Sequence, residues 1–302
     1  MREKIFGGVY TAIVTPFDDN EEVDYGKLRE LIEFQIDNGV EGIVPCGTTG
    51  ESPTLSHDEH NRIIEETVKI VDSRVKVLAG TGSNSTREAI DMSIHAEKAG
   101  VDSVMLVNPY YNKPTQEGLF RHFTTVAKAV NIPVVIYNIK GRSSVNLETD
   151  TLIRIINEAP NVRGVKEASG DMEQIKEVIS RTPDDFSVMS GDDALTFEII
   201  RNGGDGIISV ASNVIPEKVV ELADASIDED FERASELNNE LQPFFEMMFI
   251  ETSPIPVKAT LALQGKIEEV YRLPMCELMP ENKERLEVFL SERNLTGDSN
   301  EP

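Results

Sequence analysis

Along this chain, short runs of β-branched and other apolar residues, bounded by Gly, Pro, Asn or Asp, alternate with longer stretches whose apolar positions recur every three or four residues. The first pattern suits strands buried on both faces and the second suits amphipathic helices laid over them, so the alternation predicts βα units around a parallel sheet. Eight strands are expected, at residues 9–17, 42–46, 76–79, 103–107, 134–137, 162–166, 187–189 and 206–210. Helical spacing follows them, for example over 24–37, 58–71, 86–98, 116–129 and 171–180. Two of these helices begin with a Ser three residues before a Glu, Ser56 before Glu59 and Ser85 before Glu88, the spacing of a capping box. Eight units favour a closed (β/α)8 TIM barrel over an open sheet, because closure leaves no edge strand. Residues 1–215 are expected to form the barrel core, with the last barrel helix following. Residues 216–302 are expected to pack on it as a helical extension of the same unit, with helices at 232–249, 256–264 and 281–292 and a frayed end at 297–302.

Composition narrows the setting. In 302 residues, 39% of them hydrophobic, there is material for one large core. No stretch approaches the ~20 apolar residues that span a bilayer, and the N-terminus lacks the apolar run of a signal peptide. The 54 acidic residues against 29 basic ones give a formal charge of −25, which argues against nucleic acid or an anionic membrane as partner. So many like charges favour a cytoplasm of very high salt, where the screening length shrinks to ~3 Å at 1 M. Cys46 and Cys276 are too few and too far apart for a disulfide framework or a zinc site, and His57, His60, His95 and His122 form no metal-binding pattern. A soluble, cytoplasmic protein without metal or cofactor is expected.

In barrels of this kind the reactive groups sit at the C-terminal ends of the strands. Polar residues there are Gly47-Thr48-Thr49-Gly50-Glu51 after strand 2, Asn108–Pro114 after strand 4, Tyr137-Asn138 leading to Arg142 after strand 5, Lys166-Glu167 ending strand 6, and Gly191-Asp192-Asp193 after strand 7. Lys166 ends an apolar strand, where partial desolvation would lower its pKa toward the neutral amine that imine formation requires. The plainer alternative is a lysine paired with Glu167 or reaching to water. Its expected neighbours favour chemistry: the hydroxyls of Thr48 and Thr49, the phenols of Tyr110, Tyr111 and Tyr137, and the Arg142 guanidinium. Tyr137 could move protons. The Thr48-Thr49 turn could hold a carboxylate, and Arg142 could grip a second one bidentately.

Read together, these motifs resemble the dihydrodipicolinate synthase and N-acetylneuraminate lyase superfamily, and its synthase branch most closely. The likeness runs from about Gly7 to Pro274 and rests also on Gln116-Glu117-Gly118, Gly164-Val165-Lys166-Glu167-Ala168 and Pro254-Ile255-Pro256-Val257-Lys258. It implies condensation of pyruvate with aspartate 4-semialdehyde, which leads toward diaminopimelate and lysine, with the imine on Lys166. Tyr137 would be the acid/base residue, relayed through Thr48 and Tyr111, the latter supplied by a neighbouring subunit. The resemblance therefore implies a homotetramer, a dimer of dimers. Thr49 and the backbone around Ile208 would hold pyruvate, and Arg142 the carboxylate of the semialdehyde. His57, His60, Asn84, Glu88 and Tyr110 stand where lysine-inhibited relatives bind lysine. Lys140 replaces the proline usual in the Arg142 loop. The alternatives are a sugar-acid aldolase acting on a substrate such as 2-keto-3-deoxygluconate, for which Arg142 has no task, and a barrel that only binds a metabolite.

Overall fold

A computed structural model describes residues 4–297. The eight strands are β1 (Gly8–Ala12), β2 (Gly42–Val44), β3 (Lys76–Gly80), β4 (Ser103–Val107), β5 (Val134–Asn138), β6 (Val162–Glu167), β7 (Ser187–Ser190) and β8 (Gly206–Ser209). They pair in chain order, all parallel, and β8 returns to β1 to close the barrel. At that seam the backbones come very close, since a Cβ on Gly206 would stand 2.0 Å from the Gly8 carbonyl oxygen. Only glycine fits there.

Two strands are shorter than the apolar pattern predicts. Residues 13–17 leave the sheet after β1: Pro16 has no N–H for a ladder, and Phe17 instead bridges Val23 in antiparallel fashion. Residues 45–46 leave it after β2, where a proline and then a left-handed Cys46 (φ 56°) turn the chain. Both departures occur at the C-terminal mouth. The remaining strands match their expected spans to within a residue at either end.

Helices cover the barrel at Tyr25–Asp37, His57–Val71, Thr86–Ala99, Gln116–Ala127, Thr149–Glu158, Met172–Arg181, Thr196–Arg201 and Pro216–Ile227. A four-residue helix, Lys140–Ser143, interrupts the loop after β5. The expected boundary at 215 thus falls between β8 and the helix completing its unit. The C-terminal helices Phe231–Met247, Ile255–Leu263 and Pro280–Ser291 contribute Phe244, Leu261, Leu286 and Leu290 to the same apolar layer that joins barrel to helices. A second, smaller core fills the barrel itself, with Tyr10, Val44, Leu78, Met105, Tyr137 and Ile208 among its members. Gly297, expected to be frayed, donates its N–H to Leu263 O at 3.1 Å; the rest of that segment, 298–302, lies outside the described residues.

Capping differs between the two predicted boxes. Ser56 and Glu59 form both halves: the hydroxyl accepts from the Glu59 N–H, and the Glu59 carboxylate from the Ser56 N–H at 2.8 Å. Ser85 caps the Glu88 N–H, but Glu88 does not reciprocate. Its carboxylate is drawn instead to the Ser83 hydroxyl and to His57. Among the described residues no helix is long and apolar enough to cross a membrane.

Candidate active site

Strand alternation sorts the residues at the end of β6. Tyr137 pairs in register with Lys166, and Asn138 with Glu167, so the first pair lines the barrel interior and the second faces the helices. The expected alternative of Lys166 bound to Glu167 fails for that reason. Glu167 is buried on the outer side, accepting from Asn138 Nδ2 at 2.6 Å and Ser169 Oγ at 3.0 Å. Burial pushes its carboxyl up to about 7.

Lys166 is buried with its ammonium nitrogen 4.4 Å from the centre of the Tyr137 ring. Desolvation pulls its pKa down to about 8; the buried Asp193 carboxylate opposes that fall and Arg142 reinforces it. Tyr137 moves the other way, pushed up to about 12 by burial despite Arg142 and the Thr48 side chain, so its phenol keeps its proton. Gly191 makes room for the lysine: a Cβ there would lie 2.9 Å from Lys166 Cε and 2.8 Å from Ala168 Cβ. Asp193, two residues after Gly191, is fixed by the Ser209 hydroxyl and by the N–H groups of Val210 (3.1 Å) and Ala211 (3.3 Å).

The turn after β2 places Thr48 half-buried and Thr49 buried at the same mouth, with the Gly50 carbonyl held by Thr15 Oγ1 at 2.7 Å. A cavity of about 240 Å³ opens between Thr48, Pro53, Tyr110, Tyr137, Arg142 and Ser143. Arg142 is carried by the short helix and donates from Nη2 to Ser253 O at 2.9 Å, with much of its side chain facing solvent. Ile208 lies in the inner core beside Tyr137. A larger cleft of about 680 Å³, lined by Tyr10, Glu41, Lys76 and Asp102, opens at the opposite end of the barrel, away from these groups.

One expected partner is not brought in. Tyr111, left-handed at φ 72° and 90% exposed, is not among the residues lining its own chain's cavity. Of the five residues compared with lysine-inhibited relatives, four gather near the outer rim. His57 Nε2 lies 2.7 Å from Glu88 Oε1, the Asn84 carbonyl accepts from Asn112 Nδ2 at 2.8 Å, and burial, with the Glu88 charge adding to it, raises the pKa of the Tyr110 phenol. His60 differs, being buried with Nε2 2.9 Å from Gly80 O and its pKa lowered by burial.

Sequence reasoning attached no role to Glu51, Asp193 or Lys258. A lysine inside the apolar segment Ile255–Leu263 was a legible signal that a buried counter-charge exists. Its partner, Glu51, is 207 residues away, and local pattern could not find it.

Fold and site together define a barrel enzyme built around a desolvated lysine, with a phenol and hydroxyls at the C-terminal mouth. The sequence profile of the Dihydrodipicolinate synthetase family matches residues 5–293, and the chain belongs to that family. Curated proteins named 4-hydroxy-tetrahydrodipicolinate synthase are similar along their whole length: that of Hydrogenobaculum sp. is 49% identical, covering 95% of this chain and 99% of its own, and that of Methanocaldococcus jannaschii is 49% identical, covering 96% and 100%. The crystal structure of dihydrodipicolinate synthase from Aquifex aeolicus superposes with a TM-score of 0.96 at 46% identity, over 97% of this chain and all of that one.

Proposed function

We propose that this chain condenses pyruvate with aspartate 4-semialdehyde to give 4-hydroxy-tetrahydrodipicolinate, through an imine on Lys166. The observation carrying this reading is the Lys166 amine, desolvated in the barrel mouth and in register with Tyr137. The neutral amine attacks the keto carbon of pyruvate, and the carbonyl oxygen leaves as water. The cationic imine then acts as electron sink, so loss of a methyl proton gives an enamine without a metal or prosthetic group. The enamine carbon attacks the aldehyde, whose oxygen takes a proton. Finally the amino group of the semialdehyde portion attacks the imine carbon, closes the ring and releases Lys166. Tyr137 supplies and collects these protons through Thr48 and a Tyr111 from a neighbouring subunit. Thr49 and the backbone around Ile208 hold the pyruvate carboxylate, and Arg142 that of the semialdehyde.

The reading includes a homotetramer of tight dimers in a cytoplasm of high salt. It also includes a lysine effector site at His57, His60, Asn84, Glu88 and Tyr110; unchanged initial rates at millimolar lysine would remove that site.

The deciding experiment follows pyruvate consumption in molar KCl by wild type and Arg142→Ala, offering aspartate 4-semialdehyde and glyceraldehyde separately. Turnover with the semialdehyde alone, lost in the variant, is expected, together with a borohydride-trapped pyruvate adduct on Lys166. Preference for glyceraldehyde, indifferent to Arg142, would make this a sugar-acid aldolase. Absence of any adduct would leave only a binding barrel.

A further inference from the structure

Glu51 and Lys258 form an ion pair cut off from solvent, with side chains 1% and 0% exposed and Lys258 Nζ 2.5 Å from Glu51 Oε1. Taking two charges out of water stabilises a fold no better, and often worse, than an apolar pair of similar volume. The role of such a pair has therefore to be sought in what it holds in place.

At one end it holds the turn of Thr48 and Thr49. Glu51 is left-handed (φ 51°), and its N–H closes the turn on the Thr48 carbonyl at 3.1 Å. Its own carbonyl accepts from Thr54 Oγ1 at 3.0 Å. A non-glycine residue keeps that conformation only where its surroundings fix it. At the other end stands the C-terminal region. Lys258 belongs to the helix Ile255–Leu263, and the Arg272 N–H reaches Glu51 Oε2 at 3.4 Å. The Arg272 guanidinium binds both Glu59 carboxylate oxygens, at 2.5 and 3.0 Å, and the Thr54 carbonyl at 3.1 Å. Both cations rest on the Phe17 ring, Lys258 at 4.3 Å and Arg272 at 4.4 Å from its centre. The segment from Glu51 to Glu59 is thereby pinned to the loop after β1 and to the C-terminal extension.

We propose that Glu51, held by Lys258, is a positioning residue: the buried pair fixes the place of the Thr48 and Thr49 hydroxyls over the barrel mouth, toward Tyr137 and the bound 2-oxo acid. This rests on the pyruvate-imine reading above. The C-terminal extension is then part of the catalytic apparatus, acting through one ion pair. A merely structural pair and a positioning pair differ in one respect: after an apolar replacement restores stability, only the positioning pair leaves turnover impaired.

The test is the double variant Glu51→Leu/Lys258→Met, beside the nearly isosteric Glu51→Gln, in molar KCl. Melting temperature, kcat, KM for pyruvate and the borohydride-trapped adduct on Lys166 are measured. The double variant is expected to melt near the wild-type temperature and still trap pyruvate, while kcat falls at least ~10-fold, because small misplacements of catalytic groups carry costs of that order. Wild-type kcat at a wild-type melting temperature would overturn the proposal. If the double variant does not fold, Glu51→Gln decides on the same readings: a lowered kcat in a protein that melts normally supports positioning, and an unchanged kcat overturns it. Failure of wild type to trap pyruvate would instead sink the pyruvate-imine reading. The pair's role is then decided by crystal structures of wild type and Glu51→Gln, where a displaced Thr48–Thr49 turn supports the proposal and an unmoved one defeats it.

Discussion

An amine attacks a carbonyl only when it has lost its proton, and burial brings Lys166 to about 8 for that purpose. The sign follows directly: below that pH the lysine is mostly ammonium, so kcat/KM for pyruvate is expected to fall about tenfold per unit of pH and to level off above it. A pH–rate profile of wild type checks this, and a flat profile down to pH ~6 would contradict it. Tyr137, at about 12, enters each cycle as a phenol across this pH range and adds no limb of its own. Gly191 offers a second test at this scale. Its replacement by alanine sets a methyl 2.9 Å from Lys166 Cε and 3.0 Å from Cγ, and the lysine has to swing aside. Gly191→Ala is expected to keep its circular dichroism but lose on the order of 10²-fold in kcat, the cost of roughly 1 Å of misplacement.

Elements were more legible than residues, and for physical reasons. Strands buried on both faces read as short apolar runs, continuous and β-branched in 134–136 and interrupted by Arg163 and Gly164 in 162–166, and their ends delivered Tyr137 and Lys166. The same cue overshot in β1 and β2, because apolar residues continue past the sheet into buried loops; Pro45 directly follows the end of β2, whereas β1 ends at Ala12, four residues before Pro16. Partners distant in sequence left no local trace, which is why Glu51–Lys258 and Asp193–Ser209 had to come from the fold. The capping boxes show the limit of spacing alone. Ser56-x-x-Glu59 formed fully, whereas the identical spacing at Ser85 lost its glutamate to His57 and Ser83. Ser56→Ala is accordingly expected to cost about 1 kcal/mol in chemical denaturation, with Ser85→Ala costing less.

For the molecule as a whole, the surplus of 25 acidic residues over basic ones is the dominant fact. Surface cations are largely engaged already, as in Arg74–Glu33 and in Arg181 with Asp150 and Glu177, so mobile counterions have to screen the remaining carboxylates. The melting temperature is expected to climb as KCl rises from ~0.1 to ~2 M, over which the screening length falls below that of ordinary contacts between surface charges. Calorimetry showing no change would place this protein among acidic proteins with no salt requirement.

Tyr111 carries one last consequence. A side chain 90% exposed on its own chain, yet assigned by our proposal to a neighbour's proton relay, makes each copy a donor of something it cannot use. Defects in such a protein complement one another. Lys166→Ala and Tyr111→Phe chains, each impaired alone, are expected to regain turnover when dissociated and reassembled together, because a mixed pair contains one site with both residues intact. Two damaged alleles in one cell would then do what neither does by itself.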